Sequence, residues 1–140
     1  MADFKLDSRL ENDTIHIASW PLCEVLLMND VQYPWLILVP RVGDATELYH
    51  LSDEQRQQLD LESMYLGQNL MQLFSGDKLN IAALGNVVKQ LHIHHVVRFE
   101  GDPTWPAPIW GKLPAQSYST DERQATLLKL KRIIDKDWSN

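Results

Sequence analysis

The chain has 140 residues, 44% of them hydrophobic and 23% charged, and a formal net charge of −6. That length suits one domain with a real core. The acidic balance argues against a nucleic-acid backbone as the main partner, which needs a basic patch. A small phosphate ligand stays compatible, because neutral donors and backbone N–H groups can hold it locally. Cys23 is the only cysteine, so no intramolecular disulfide can form and a reducing interior is expected. Its neighbours are apolar, and it reads as a small buried residue. The start, Met1 to Lys5, lacks the charged head and apolar core of a signal peptide. No apolar run reaches the ~20 residues that span a bilayer. The expectation is a cytoplasmic protein with no membrane partner.

Residues 4–11 mix apolar Phe4, Leu6 and Leu10 with charged neighbours and fit either a short strand or a turn of helix. Asn12-Asp13 signals a turn. Thr14 to Ser19 alternates as a strand, with His16 on a solvated face. After Pro21, Leu22 to Met28 reads as a buried strand ended by Asn29-Asp30. Trp35 to Val39 is a second apolar strand, closed by Pro40, and the short connection predicts an antiparallel hairpin. Ser52-Asp53-Glu54-Gln55 is a helix start with a hydroxyl cap and a glutamine three residues on. The helix carries Leu59, Leu66, Leu70 and Phe74 to a stop at Ser75-Gly76. Lys78 to Leu84 is a further strand, and Gly85-Asn86 suggests a tight turn into another hairpin. Residues 100–111 hold three prolines and two tryptophans, which predicts an ordered loop. Two roles stay open for its tryptophans, packing over the domain edge or forming a contact surface. Ser119 to Glu122 starts a last helix that runs to about residue 138.

The most informative stretch is Gly85 to Phe99. It is β-branched and apolar and reads as a strand, yet three of the five histidines lie within four of its residues. Alternation puts Gln90, His92, His94, Val96 and Arg98 on one face, and Leu91, Ile93, His95, Val97 and Phe99 on the other, core-facing side. His92 and His94 then stand about 7 Å apart at Cα and can reach one small ligand. A metal is poorly served. His95 faces away, His16 and His50 are the only other histidines, and neither a cysteine pair nor a helical His-x-x-x-His supplies the missing ligands. A phosphorus centre is better served. A neutral imidazole can attack it when its other nitrogen is held by an acceptor, and a second histidine on the same face can donate to phosphate oxygens and assist the leaving group.

The wider pattern is more specific than a His-x-His pair. Gly85-Asn86, then Gln90-Leu91-His92-Ile93-His94-His95-Val96-Val97, resembles the signature of the histidine triad (HIT) family: a Gly-Gln/Asn start, then three histidines alternating with apolar residues. The likeness extends over residues 15–99, and the proline–tryptophan segment with the last helix resembles a bacterial subgroup. The resemblance implies an α+β, HIT-like fold, with an antiparallel sheet of about five strands, one long central helix and a C-terminal helix. It implies one domain over 1–140, with its core in 4–99, the loop in 100–118 and the last helix in 119–138. The implied activity is that of a nucleotide hydrolase or nucleotidyl transferase. It would act on the α-phosphate of a purine nucleoside phosphate conjugate, such as a dinucleoside polyphosphate or a phosphoramidate, through a nucleotidyl-histidine intermediate. His92 would be the nucleophile and His94 the phosphate contact.

The same resemblance assigns binding roles. Asn86 would lie near the scissile phosphate, Asn80 in its pocket and Asn29 near the ribose, while Gln90 would offer its backbone carbonyl to His92. His95 occupies an apolar position and is expected to be structural. No cofactor and no metal is implied. A homodimer is, with the Trp105–Trp110 loop reaching toward the partner's site. Two departures mark this chain. Gln90 replaces the first histidine, and Val87 stands where many members have a Ser or Thr donor. They leave an alternative, a nucleotide-binding or regulatory protein with weakened catalysis.

Overall fold

A computed structural model describes residues 3–139; Met1, part of the stretch read for a leader, lies outside them with Ala2 and Asn140. Five strands form the sheet: β1 (Thr14–Ser19), β2 (Cys23–Met28), β3 (Trp35–Pro40), β4 (Lys78–Ala82) and β5 (Ile93–Arg98). Their spatial order is β1-β2-β3-β5-β4, and every neighbouring pair is antiparallel. Three helices accompany them, α1 (Ser8–Asp13), α2 (Asp53–Phe74) and α3 (Thr120–Ile134). The α+β class and the β2–β3 hairpin agree with the sequence reading. The ambiguous N-terminal stretch is helical, because Asp7 caps it by accepting from the Arg9 N–H at 2.8 Å and Leu10 is buried.

The two long helices start where their caps say. Ser52 Oγ accepts from the Gln55 N–H at 3.1 Å, while the Gln55 side chain accepts from the Ser52 N–H at 2.8 Å. Ser119 and Glu122 repeat this arrangement at 3.1 and 2.9 Å. Such a box satisfies two helix-end donors, worth about 1 kcal/mol for the capping oxygen alone. At the far end of α2 the left-handed residue is Ser75, at φ 53°, and not the glycine. Gly76 is needed for closeness: a Cβ there would lie 2.3 Å from Val97 Cγ1.

Strand alternation sends side chains to two separate cores. Leu27, Leu36, Leu38, Ile93 and Val97 pack with Leu59, Leu66, Leu70, Leu130 and Ile133 under α2 and α3. Leu26, Ile37, Val39 and Val96 pack on the opposite face with Leu10, Tyr33, Trp35 and Ile109. Leu66 and Leu70 are fully buried, and each such side chain contributes roughly 1.5–3 kcal/mol.

One expectation is corrected. The strand read from Gly85 to Phe99 begins only at Ile93, and β4 ends at Ala82, so residues 83–92 form an irregular connection and not a two-residue turn. Gly85 turns the chain at φ +74°. The Leu91 N–H leaves the sheet to bond the Ala45 carbonyl at 2.9 Å. β4 and β5 nevertheless pair antiparallel, from Lys78 with Arg98 to Ala82 with His94.

Candidate active site

β5 splits its histidines as alternation requires. His95 turns toward α2 and is wholly buried. Its Nδ1–H donates to the Ile93 carbonyl at 3.1 Å, so its Nε2 accepts from the Ser63 hydroxyl at 2.7 Å. Burial pushes its pKa down to about 4, and it is a neutral, fully bonded core residue. His94 takes the other side, together with His92 from the residue just before the strand, with ring centroids 4.9 Å apart and planes at 71°.

Each of those rings is held by one nitrogen only. His92 Nδ1 lies 2.7 Å from the Gln90 carbonyl oxygen. A carbonyl only accepts, so Nδ1 carries the proton and Nε2 keeps its lone pair. His94 has the opposite arrangement. Trp35 Nε1 lies 3.0 Å from His94 Nδ1. An indole N–H only donates, so Nδ1 accepts and the ring proton sits on Nε2. Burial, together with His92 and His95 nearby, pushes the His94 pKa down to about 3. The sealed, unpartnered side-chain polar atoms among the described residues are the indole nitrogens of Trp110 and Trp138. The Nε2 atoms of His92 and His94 are not among them and face open space.

That space is a pocket of about 540 Å³, large enough for a small-molecule ligand. Leu10, Met28, Ile37 and Val88 give it an apolar wall, Arg9 and Asp13 stand on its α1 side, and Asn86, Val87 and both histidines complete it. Among the described residues no three His, Cys, Asp or Glu side chains converge to hold a metal ion.

The sequence-derived residues divide on inspection. His92, His94 and Asn86 line the pocket together. Gln90 does not line it. Its side chain clamps the N-terminal segment, accepting from the Asp7 N–H at 2.9 Å and donating to the Lys5 carbonyl at 2.8 Å. Asn29 and Asn80 also lie outside the lining, and the Oδ1 of each is engaged elsewhere. Asn29 Oδ1 accepts from the Tyr118 N–H at 2.9 Å, and Asn80 Oδ1 accepts from Arg98 at 2.9 Å.

Trp35 was not singled out for the site, and Trp110 was expected to reach toward a partner's, yet both pack on His94 of their own chain. Trp35 and Ile37 lie on one face of β3, and Ile37 is paired with His94, so Trp35 is the diagonal neighbour that reaches the imidazole. Trp110 packs edge-on against His94 at 5.3 Å and against Trp35 at 6.5 Å. Only the register between distant strands and the path of the loop reveal this. The loop that carries Trp110 is anchored by Arg98, which is buried on the same face of β5. Its guanidinium donates to Asp102 at 2.7 and 3.0 Å, and to Thr104 at 3.2 Å, and lies over the rings of Tyr33 and Trp105.

Comparison with known proteins gives the same direction. A family model described as HIT domain matches residues 9–101. The solved structure of a histidine triad protein from Marinobacter aquaeolei VT8 is 48% identical, covers 96% of this chain and 98% of its own, and superposes with a TM-score of 0.94. A histidine triad protein from Bradyrhizobium japonicum is 44% identical over 95% of this chain and 99% of its own, at a TM-score of 0.92. One from Sinorhizobium meliloti is 40% identical over 92% and 96%, at 0.89. Comparison with curated protein sequences finds no match. With the histidine pattern, the five-stranded sheet and these likenesses together, the chain belongs to the histidine triad family, and its function is of that family's nucleotide-related hydrolase or transferase kind.

Proposed function

We propose that this protein cleaves nucleoside phosphate conjugates at the α-phosphorus through a nucleotidyl group carried on His92. The observation that supports this is the 2.7 Å contact from His92 Nδ1 to the Gln90 carbonyl, which leaves the Nε2 lone pair free in an open pocket. In the first step Nε2 bonds to phosphorus, and the bond from phosphorus to the leaving group breaks with its electron pair. The Nε2–H of His94 donates to a phosphate oxygen and stabilises the charge that builds there. In the second step water bonds to phosphorus, the N–P bond electrons return to His92, and the water's proton passes to solvent. An acceptor alcohol or phosphate in place of water would make the same chemistry a transfer. The apolar wall of Leu10, Met28 and Ile37 suits a planar base, with a purine preferred.

The experiment is trapping. Protein mixed with an adenosine conjugate labelled at the α-phosphate and quenched in base is expected to carry label on His92. His92→Gly is expected to lose both the label and turnover, by roughly 10³-fold or more. Turnover that survives in His92→Gly would overturn the mechanism. Label-free wild-type protein that still binds AMP would favour the second reading, a nucleotide-binding or regulatory role. That reading draws on Val87, which offers the pocket no donor and is 72% exposed.

A homodimer and a cytoplasmic setting go with this proposal. No helix among the described residues is long and apolar enough to cross a membrane. Among the described residues the outer edge of β4 is unpaired, beside a groove lined by Leu48, Leu59, Ile81 and Ile93.

A further inference from the structure

Trp35 decides what His94 can do, and so which leaving groups the site can expel. The indole N–H has no titratable proton and no acceptor lone pair. While it donates to His94 Nδ1 at 3.0 Å, that nitrogen cannot also bear a proton. His94 is then a neutral ring with one N–H, on Nε2. Giving that proton away would leave an imidazolate, a far stronger base than the groups around it. His94 can therefore hydrogen-bond to a departing atom but cannot protonate it.

No other pocket residue takes over. The remaining charged or titratable side chains facing the pocket are Arg9, Asp13 and His92. A guanidinium does not deprotonate in proteins, Asp13 stands on the α1 side of the pocket with no hydrogen bond to either histidine ring, and His92 is the attacking base. Val87 and the Asn86 amide have no acidic proton to supply. Trp110 closes the other side of His94 at 5.3 Å with a ring that carries none either.

We propose that Trp35 is a positioning residue that fixes the His94 tautomer with its one N–H on Nε2, and that the substrates of this site are therefore nucleoside phosphoanhydrides or comparably acidic esters, and not phosphoramidates. The proposal rests on the nucleotidyl-His92 reading. An anhydride leaves as a phosphate oxyanion: the P–O bond breaks, oxygen keeps the pair, and no proton is needed. An alkylamine bound to phosphorus must gain a proton on nitrogen as the P–N bond breaks, and this site holds no group to give it.

The test compares wild-type protein on two series of adenosine 5′-conjugates. One is a set of aryl phosphodiesters of graded phenol acidity together with diadenosine polyphosphates, and the other a set of alkyl phosphoramidates of AMP. Expected are cleavage of anhydrides and acidic esters, a steep fall in kcat/KM as the phenol becomes less acidic, and amidates slower by roughly 10²–10⁴-fold, the usual contribution of a positioned acid. In Trp35→Phe the His94 tautomer is no longer fixed with its proton on Nε2. Cleavage of anhydrides and acidic esters should then fall, while amidates stay slow because burial still keeps the ring neutral. A second measurement does not depend on how that variant folds. Nitrogen-15 spectra of wild-type histidines should show His94 neutral, with Nδ1 unprotonated, from about pH 5 to 8. Equal cleavage of amidates and anhydrides, or a flat dependence on leaving-group acidity, overturns this inference while the His92 mechanism stands. Spectra with Nδ1 protonated overturn it too. Failure to cleave either series, with no label trapped on His92, removes both readings together.

Discussion

Three neighbouring imidazoles in this chain have three different sets of hydrogen-bond partners, which put the proton on Nδ1 of His92 and His95 and on Nε2 of His94. A carbonyl at Nδ1 makes His92 a base. An indole at Nδ1 makes His94 a donor. A carbonyl and a hydroxyl together make His95 a core residue. Two of the three are held neutral well below the ordinary histidine range, His94 at about 3 and His95 at about 4, chiefly by burial. This has a sign. Both folded values lie below those of the unfolded chain, so their stabilising effect is complete above about pH 6.5 and is lost as pH falls toward the folded values. Between about pH 6 and pH 4 stability should fall by up to about 2.7 kcal/mol per pH unit, two protons' worth. Denaturant midpoints measured against pH should show that slope, and His95→Gln should roughly halve it. A midpoint independent of pH over that window would refute the assignment.

At the scale of elements, the loop after β5 matters most. It is anchored more firmly than its proline-rich sequence suggests. The Arg98 and Asp102 side chains are 1% and 3% exposed. Burial opposes ionisation of Asp102, but the Arg98 guanidinium and the N–H groups of Phe99 and Thr104 outweigh it and hold its pKa at about 2. Asp102 also accepts from the Trp105 N–H at 2.8 Å, so one carboxylate organises the turn that leads to Trp110. Asp102→Ala would leave a buried guanidinium without its counter-charge, and a loss of about 3–5 kcal/mol is expected in chemical denaturation. Because Trp110 packs on His94, turnover should fall as well, even under conditions where the variant is folded. A variant as stable as wild type would show that the ion pair does not secure the loop.

For the whole molecule, the sheet has two outer strands, and β4 is the one beside an apolar groove. Ile81 of that strand is 42% exposed and Leu48 is 46% exposed, and a free edge is a template for a further strand. In the proposed homodimer this edge meets its copy. Sedimentation at micromolar concentration should give twice the chain mass, and Ile81→Lys should give the single-chain mass with an unchanged circular dichroism spectrum. A wild-type protein that sediments as one chain would exclude this assembly. The loop offers no further argument for a shared site, since Trp110 already packs on the histidine of its own chain.

Much of this was legible residue by residue. Caps at Ser52 and Ser119 lie within four residues of what they bond. The opposite fates of His94 and His95 follow from strand alternation alone, and the His92 tautomer from a carbonyl two residues away. These are short-range effects, written into the local chain. What joins Trp35 to His94 spans 59 positions. It depends on the register of β3 against β5, set by packing on both faces of the sheet and by no local pattern. The same holds for Asn29 and Asn80, whose side-chain oxygens accept from Tyr118 and Arg98 in distant segments. Gln90 belongs with them, since its side chain spends its hydrogen bonds on residues 5 and 7. Sequence alone determined the family pattern and the strand Ile93–Arg98 that orients His94 and His95. Tertiary structure decided which proton His94 keeps, because the indole set against its ring comes from a distant strand.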